Sequence, residues 1–201
     1  MCGIIGFTGN LQEVLLKGLE TLEYRGYDSV GIALLGESGH IQVRKKAGRV
    51  QELMQLCETL SADEARCGIG HTRWATHGGV TDTNAHPHAY GRVTLVHNGI
   101  IENYQELAAK YGFGDKLSSQ TDTEVVAALL DYYEGDPGVA VFQTVRELKG
   151  TFALAVLFED IPDTIYAIRN VSPIIAGVGK DAGESFLASD VTALTDYVEQ
   201  Y

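Results

Sequence analysis

The chain has few cysteines and no long apolar stretch, and each shortage argues against a class of protein. Three cysteines in 201 residues, without a Cys-x-x-Cys spacing, argue against a disulfide framework and favour a reducing, cytoplasmic setting. No apolar run approaches the roughly 20 residues that span a bilayer. The N-terminus lacks the basic stretch and long apolar run of a secretory signal. We therefore expect a cytoplasmic protein that does not enter a membrane.

Basic residues are also scarce, and they are outnumbered by acidic ones. Lys and Arg total 15 against 27 Asp and Glu, which gives a formal charge of -12. Such a balance argues against nucleic acid and anionic membranes as partners, because both attract basic patches. The chain has only four prolines and no Pro/Ser-rich linker, so we expect one domain rather than several.

Hydrophobic periodicity predicts strands at both ends of the chain and helices between them. Strands are predicted at 4–7, 29–36, 40–46, 67–71, 93–97, 151–158, 164–169, 173–178 and 184–188. Helices are predicted at 11–22 with Asn10 as a cap, at 50–60, 103–111 and 139–148, and after a capping box at 121–124. Tight turns between strands favour antiparallel pairing. Since the helices need sheet faces to cover, a layered α+β sandwich follows.

Histidines are concentrated in three polar segments, at 71–79, 84–88 and 97–99. Five of the six lie between His71 and His97. His86 and His88 could place two imidazoles on one strand face and bind zinc. However, a His-x-His pair is a weak signal, and no acidic or cysteine ligand follows at a typical spacing. We therefore expect no metal, and hydrogen-bonded histidines near loops.

Three other features each allow two interpretations. Arg73, at the end of a strand-like run, is suited to bind a carboxylate through its guanidinium fork, or to form an ordinary surface ion pair. Asn98 and Gly99 can supply two donors to an oxyanion, although the spacing alone favours a type I′ turn. Asp122 lies in the first turn of a capped helix, where a carboxylate also complements the helix dipole.

Cys2 has one residue before it. If Met1 is removed, Cys2 carries both a thiol and a free α-amine. That amine has a reference pKa of about 7.7–8.0, so it can act as the base that a thiol nucleophile requires. The alternative is a cysteine without a role near a frayed terminus. Cys57 belongs to a helical apolar stripe and Cys67 to a strand, so we expect both to be structural.

Six sequence motifs resemble one family, and they occur in its order. They are CGIIGFTG, LEYRGYDSVGIA, GHTRWATHGG, NAHPH, HNGIIENY and SQTDTEV, which lie between residues 2 and 125. The resemblance as a whole runs from residue 2 to about residue 194. They resemble the glutaminase domain of glutamine–fructose-6-phosphate aminotransferases. These enzymes are class II glutamine amidotransferases of the N-terminal nucleophile hydrolase group. The Arg-Trp-Ala-Thr-His and Asn-Gly-Ile-Ile-Glu-Asn runs favour this family over relatives that feed ammonia to phosphoribosyl diphosphate or aspartate.

The resemblance implies a four-layer αββα sandwich that forms one glutaminase domain over residues 1–201. The last strands expected of such a domain would be missing, and so would the sugar isomerase domains. The implied reaction is hydrolysis of the L-glutamine side-chain amide to glutamate and ammonia. In a full-length enzyme the ammonia would convert fructose 6-phosphate to glucosamine 6-phosphate. No cofactor is implied, and a homodimer is compatible with the family.

The resemblance also assigns roles to the catalytic and substrate-binding residues. Cys2 would be the nucleophile and its amine the base. Asn98 and Gly99 would stabilise the oxyanion. Arg73 would bind the glutamine α-carboxylate, and Asp122 its α-amine. A glutamine-binding module without catalysis, or the glutaminase domain of another class II amidotransferase, are the alternatives.

Four further residues receive supporting roles from the resemblance. Thr76 and His77 would lie in a loop that closes over glutamine, and Trp74 would gate ammonia toward the partner domain. Arg25 would order the turn near the nucleophile. The closing loop differs from many relatives because it lacks a proline around Val80.

Overall fold

The computed structural model describes residues 2–9, 13–57 and 65–201. Its strands are β1 (Gly3–Thr8), β2 (Ser29–Gly36), β3 (Ile41–Ala47), β4 (Ala65–Arg73), β5 (His88–Tyr90), β6 (Val93–Ile101), β7 (Gly150–Phe158), β8 (Tyr166–Asn170), β9 (Ile175–Gly179), β10 (Ser185–Ala188) and β11 (Val198–Gln200). Its α-helices are α1 (Glu13–Leu22), α2 (Val50–Cys57), α3 (Tyr104–Tyr111), α4 (Asp122–Tyr132) and α5 (Pro137–Glu147). Within these residues no helix has both the length and the apolar character to cross a membrane.

The strands form two antiparallel sheets. The first has the order β11-β9-β10-β1-β4-β2-β3, and the second has the order β5-β6-β7-β8. The predicted antiparallel pairing is confirmed for the recorded strand pairs of both sheets. Because β1 and β4 are neighbours in the first sheet, the start of the chain lies beside the end of β4.

Helices cover the outer face of each sheet. On the first sheet, Leu15 and Leu19 of α1 share a buried core with Leu53 of α2 and Ile5 of β1. On the second sheet, helices α4 and α5 share a core with β6 and β7. Helices α1, α2, α4 and α5 therefore bury apolar stripes against a sheet, as amphipathic helices of globular proteins do, whereas Leu107 of α3 packs against α4.

The inner faces of the two sheets pack against each other. Ile4, Ile69, Val96 and Leu157 are fully buried in this inner core. Successive side chains of a strand point to opposite faces, so Ile4 enters the inner core while Ile5 meets α1. Strands covered on both faces need continuous apolar sequence, which explains the run at residues 4–7. The four layers confirm the predicted αββα sandwich.

The largest error of the sequence prediction concerns the end of β6. The predicted strand stopped at His97, but β6 continues to Ile101, and Asn98 and Gly99 pair with Ala153 and Phe152 of β7. The type I′ turn interpretation is therefore wrong. Gly99 has φ +135°, and a Cβ built on it would lie 1.9 Å from the Thr151 carbonyl oxygen. Only glycine fits this position in the strand.

The predicted helix caps are confirmed in part. The Thr121 side chain accepts a hydrogen bond from the Glu124 N–H, which begins α4. The Glu124 carboxylate does not complete the box, because it accepts from the backbone N–H groups of Ser118 and Ser119. Asp136, which was not predicted as a cap, accepts from the Val139 N–H and begins α5. The proposed Asn10 cap, and the end of the helix predicted at 50–60, lie outside the described residues.

Candidate active site

The register of β1 and β4 places Cys2 beside Arg73. Gly3 pairs with Thr72, so the residue before β1 lies next to the last residue of β4. The half-buried Cys2 Sγ accepts a hydrogen bond from the Trp74 N–H at 3.2 Å, and it also contacts the Trp74 carbonyl oxygen at 3.6 Å. These are the recorded hydrogen bonds of the thiol within the described residues. No histidine nitrogen is among its partners there.

Burial raises the pKa of the Cys2 thiol, and the hydrogen bond from Trp74 only partly opposes this effect. A protonated thiol is a poor nucleophile, so attack requires a base near the sulfur. The other two described cysteines differ in their surroundings. Cys57 is half-buried against the core under α1 and α2. Cys67 is buried, and desolvation raises its pKa to about 12.

Two donors hold the Cys2 carbonyl oxygen. Arg25 Nε donates to it at 3.1 Å and Asn98 Nδ2 at 3.0 Å. Arg25 is itself fixed by an ion pair of 3.1 Å with Asp190. Hydrogen bonds from Tyr24 and Thr192, with the Arg25 charge, lower the pKa of the Asp190 carboxyl to about 2. Cys2 is thus anchored between both sheets.

Arg73 is buried although it carries a charge. Its side chain donates from Nη1 to the Gly79 carbonyl oxygen at 3.1 Å and from Nη2 to the His77 carbonyl oxygen. Among the described residues, no carboxylate lies within 4.0 Å of it, so the surface ion pair interpretation does not hold there. A guanidinium has five N–H donors, which leaves donors for a further partner.

Asp122 is the first residue of α4 and is also buried. Its Oδ2 accepts from the Ile101 N–H at 2.8 Å and lies 4.0 Å from His97 Nδ1. The carboxylate therefore lies at the positive end of the helix dipole, as one interpretation expected. It also faces the same cavity as Cys2.

One small cavity brings most of the predicted site residues together. Its walls include Cys2, Arg73, His77, Gly99 and Asp122. A cation and an anion on the walls of one cavity match a zwitterionic ligand. The thiol on the same wall would meet that ligand.

Trp74 and Thr76 line both this cavity and a larger cleft, and Cys2 borders both. The cleft also contains Asn98 and Ile100. Trp74 is half exposed, and its ring meets the Tyr27 ring edge to face at 5.5 Å. Cys2 thus borders both a small pocket and a larger, more apolar cleft.

His71 and His97 were expected at the ends of predicted strands, near loops, but both strands continue past them. Both lie inside strands and are buried, and His71 stacks on His86 with ring centroids 4.1 Å apart. Burial lowers the pKa of His71 to about 3 and that of His86 and His88 well below its usual range. Polar residues inside strands look like loop sequence, which explains the error.

His86 and His88 bind hydroxyl groups near the start of α4. His86 Nε2 lies 3.0 Å from Thr123 Oγ1, and His88 Nε2 lies 3.1 Å from Thr121 Oγ1. Within the described ranges, no group of three or more His, Cys, Asp or Glu residues is arranged to hold a metal ion. The two imidazoles are polar groups that tie β5 and the loop before it to α4.

Sequence reasoning missed residues that support the site. Asp190 binds Arg25 and is itself bound by the Tyr24 hydroxyl. Tyr24 belongs to the LEYRGYDSVGIA motif, but Asp190 lies 166 positions away and in none of the quoted motifs. His71 contacts Asn98 Oδ1 at 3.0 Å. A signal for His71 did exist, since it lies two residues before Arg73 and alternate residues of a strand share a face.

Comparisons with known proteins agree with this geometry. A family model described as "Glutamine amidotransferase domain" matches residues 71–196. The chain is 47% identical over 216 residues to glutamine–fructose-6-phosphate aminotransferase [isomerizing] of Corynebacterium diphtheriae, covering 99% of this chain and 34% of the relative. It is 50% identical over 208 residues to the protein of that name from Fusobacterium nucleatum, covering 98% and 33%. The chain spans about a third of the length of these relatives.

A solved structure shares the fold at lower sequence identity. Glutamine phosphoribosylpyrophosphate amidotransferase from B. subtilis, complexed with ADP and GMP, superposes with a TM-score of 0.79 at 24% identity. The match covers 98% of this chain and 44% of that one. The αββα sandwich of this chain is therefore the fold of that structure as well.

Proposed function

Because the chain belongs to the glutamine amidotransferase domain family, we propose that it forms a glutaminase domain over residues 1–201 and releases ammonia from L-glutamine. The observation that carries this proposal is the single cavity lined by Cys2, Arg73 and Asp122. It offers one nucleophile, one cation and one anion to the same small molecule. Free glutamine carries a carboxylate and an ammonium on one carbon and an amide at the end of its side chain.

Arg73 and Asp122 bind the two charges of glutamine. The guanidinium can keep its bonds to the His77 and Gly79 carbonyl oxygens and still offer N–H donors to the carboxylate. Asp122 Oδ2 is held by the Ile101 N–H, and its remaining lone pairs accept from the ammonium. His77 and Thr76 close the pocket from the loop that follows β4.

Cys2 carries out the chemistry. Sγ attacks the side-chain carbonyl carbon of glutamine while the Cys2 α-amine takes the thiol proton. The tetrahedral intermediate then collapses, the amine returns the proton to the departing nitrogen, and ammonia leaves. Water attacks the resulting thioester, which yields glutamate and restores the thiol. The amine can act in this way only when Met1 has been removed.

Asn98 and Gly99 stabilise the oxyanion. His97 accepts a hydrogen bond through its carbonyl from His71, and Ile101 donates to Asp122. Alternate residues of a strand direct their backbone groups to the same edge. The Gly99 N–H therefore points to the same edge of β6 as the His97 carbonyl and the Ile101 N–H, in the part of β6 that extends beyond β5. Gly99 lines the cavity, and Asn98 Nδ2 points toward Cys2.

The ammonia leaves through the larger cleft, past Trp74. In the relatives, about two thirds of the chain lies outside the matched part, and their name gives fructose 6-phosphate as a substrate. We propose that a sugar isomerase domain receives the ammonia in the full-length protein and forms glucosamine 6-phosphate. A homodimer and a cytoplasmic location belong to this proposal.

A glutaminase assay on protein with a sequenced N-terminus tests the proposal. We expect glutamate and ammonia in equal amounts from L-glutamine, and no release from D-glutamine. Binding of L-glutamine by protein that begins at Cys2, without any turnover, would instead support the non-catalytic glutamine-binding module.

The charged pair predicts how substrate recognition fails. Arg73→Gln or Asp122→Asn, each of which removes one charge, should weaken glutamine binding by roughly 10- to 150-fold, because a charge-assisted hydrogen bond contributes about 1.5–3 kcal/mol. Isothermal titration with L-glutamine measures this loss. Asp131→Asn is the matched control, since Asp131 is also on α4 but accepts from the Arg92 N–H outside the cavity.

Blocking the α-amine of glutamine provides the second arm of this test. Asp122→Asn should bind the blocked substrate only slightly more weakly than the wild-type protein does, because the charge that Asp122 pairs with is already gone. Full additivity of the two losses would contradict the assignment and leave Asp122 with its role at the helix terminus.

A further inference from the structure

His71 lies at the point where β4 faces β6. It is fully buried and pairs across the first sheet with Ile4 and Gly31. Its Nε2 lies 3.0 Å from the His97 carbonyl oxygen and 3.0 Å from Asn98 Oδ1. The ring thus connects the strand that ends in Arg73 with the amide side chain next to Cys2.

The carbonyl oxygen of His97 fixes the tautomer of this ring. A carbonyl oxygen can only accept a hydrogen bond, so Nε2 must carry a proton. Burial lowers the pKa of His71 to about 3, and the ring stacks on His86, so a second proton is disfavoured. His71 Nδ1 is buried without a hydrogen-bond partner among the described residues. The ring is therefore neutral and donates through Nε2.

This single N–H determines which way the Asn98 amide faces. With Oδ1 toward His71, the amide accepts the proton and Nδ2 points to the Cys2 carbonyl oxygen at 3.0 Å. The flipped amide would set its NH₂ group against the imidazole N–H and its oxygen against the Cys2 oxygen. Two unfavourable contacts would replace two hydrogen bonds in a buried site.

We propose that His71 is a positioning residue for glutamine hydrolysis, which holds the Asn98 amide so that Nδ2 bonds the Cys2 carbonyl oxygen and keeps its second N–H for the reacting carbonyl. The inference rests on the proposed glutaminase function. His71 touches no substrate atom and exchanges no proton in this role. An amide that rotates freely would present its donor for only part of the time, so the oxyanion would be stabilised less.

His71→Phe keeps a flat ring in the stack and removes the N–H. Loss of an oxyanion donor costs about 10²–10³ in turnover, so we expect loss of its orientation to cost roughly 10- to 100-fold. The KM for glutamine should change by less than about threefold, because Arg73 and Asp122 are untouched. His71→Gln, whose amide can donate from a similar position, should restore most of the turnover.

His88→Phe is the matched control. His88 is also a buried imidazole that meets His86, at a centroid distance of 4.7 Å, but it bonds Thr121 rather than Asn98. We expect it to lower the melting temperature while the turnover of folded protein stays within about threefold. An equal loss of turnover in His88→Phe would overturn the inference, because it would show that the loss comes from disturbed packing of the buried imidazoles and not from the contact with Asn98. If His71→Phe does not fold, His71→Met takes its place in the comparison with His71→Gln.

A double-variant comparison decides between positioning and packing. In an Asn98→Ala background, His71→Phe should change the turnover by less than about threefold, since no amide remains to be oriented. Multiplied losses in the double variant, or wild-type turnover in His71→Phe, would overturn the inference.

Nitrogen NMR of the imidazole tests the same contact without activity. We expect His71 to remain the neutral Nε2–H tautomer from pH 5 to pH 9. An imidazolium signal or an Nδ1–H tautomer would overturn the inference, even in protein that hydrolyses glutamine. A wild-type protein that shows this tautomer but no glutaminase activity would contradict the proposed function alone.

Discussion

Replacing Cys2 by alanine should abolish glutamine hydrolysis and leave glutamine binding nearly intact. The thiol is the group that attacks the amide in the proposed mechanism, while Arg73 and Asp122 hold the substrate from other elements. Ammonia release measures the first effect, and isothermal titration measures the second. We expect turnover to fall to the detection limit.

Cys67→Ala is the control for loss of a thiol. Desolvation raises the pKa of Cys67 to about 12, so it has almost no thiolate at neutral pH. We expect this variant to lose stability from a buried strand position and to keep its turnover per folded molecule. Hydrolysis by Cys2→Ala at a rate close to that of the wild type would show that another group attacks the amide.

Replacing Asn98 by alanine should lower turnover by about 10²–10³ with little change in KM. This is the usual cost of removing one oxyanion donor, and the donor acts on charge that develops only in the transition state. Steady-state kinetics separate the two parameters. A raised KM with unchanged turnover would show that Asn98 binds the ground state of glutamine.

Asn103 supplies a matched control for this variant. Its side chain is as buried as that of Asn98, at 7% exposure, and it bonds the backbone of Glu147 and Lys149. Asn103→Ala should therefore lower the melting temperature without lowering turnover. If both alanine variants lose turnover equally, the loss reflects disrupted packing around β6.

The fold could be predicted from the sequence wherever apolar periodicity is strong. The hairpin of β2 and β3 and the helix α5 follow directly from alternation, capping and turn residues. Strands β5 and β11 were missed because each has only three residues, which is too few to show an alternation of apolar and polar side chains. The end of β6 was misplaced because Asn98-Gly99 matches a turn signal, whereas its glycine is required by the nearby Thr151 carbonyl oxygen.

The site could not be deduced from spacing, because its residues meet only through the sheet topology. Cys2 and Arg73 lie 71 positions apart, yet the Gly3–Thr72 pairing makes them neighbours. Asp122 joins them because α4 begins beside the edge of β6 that extends beyond β5, where the Ile101 N–H donates to the Asp122 carboxylate. Their roles came from the family resemblance and remain predictions. The structure adds that these side chains share one cavity.

The histidines illustrate what residue type alone does not indicate. A buried imidazole needs partners that lie far away in sequence, such as Thr123 for His86. Sequence reasoning treated His71 as a polar residue near a loop, since its contact with Asn98 spans 27 positions. Only the packing of β4 against β6 reveals that contact.

The claim that Cys2 acts with its own amine is tested most directly by intact-mass analysis of active protein. The sample is treated with a glutamine analogue that carries a diazoketone in place of the amide, and its N-terminus is sequenced. We predict that the active protein has lost Met1 and carries one adduct, on Cys2. Full activity in protein that retains Met1, or an adduct on Cys57 or Cys67 instead, would contradict the mechanism.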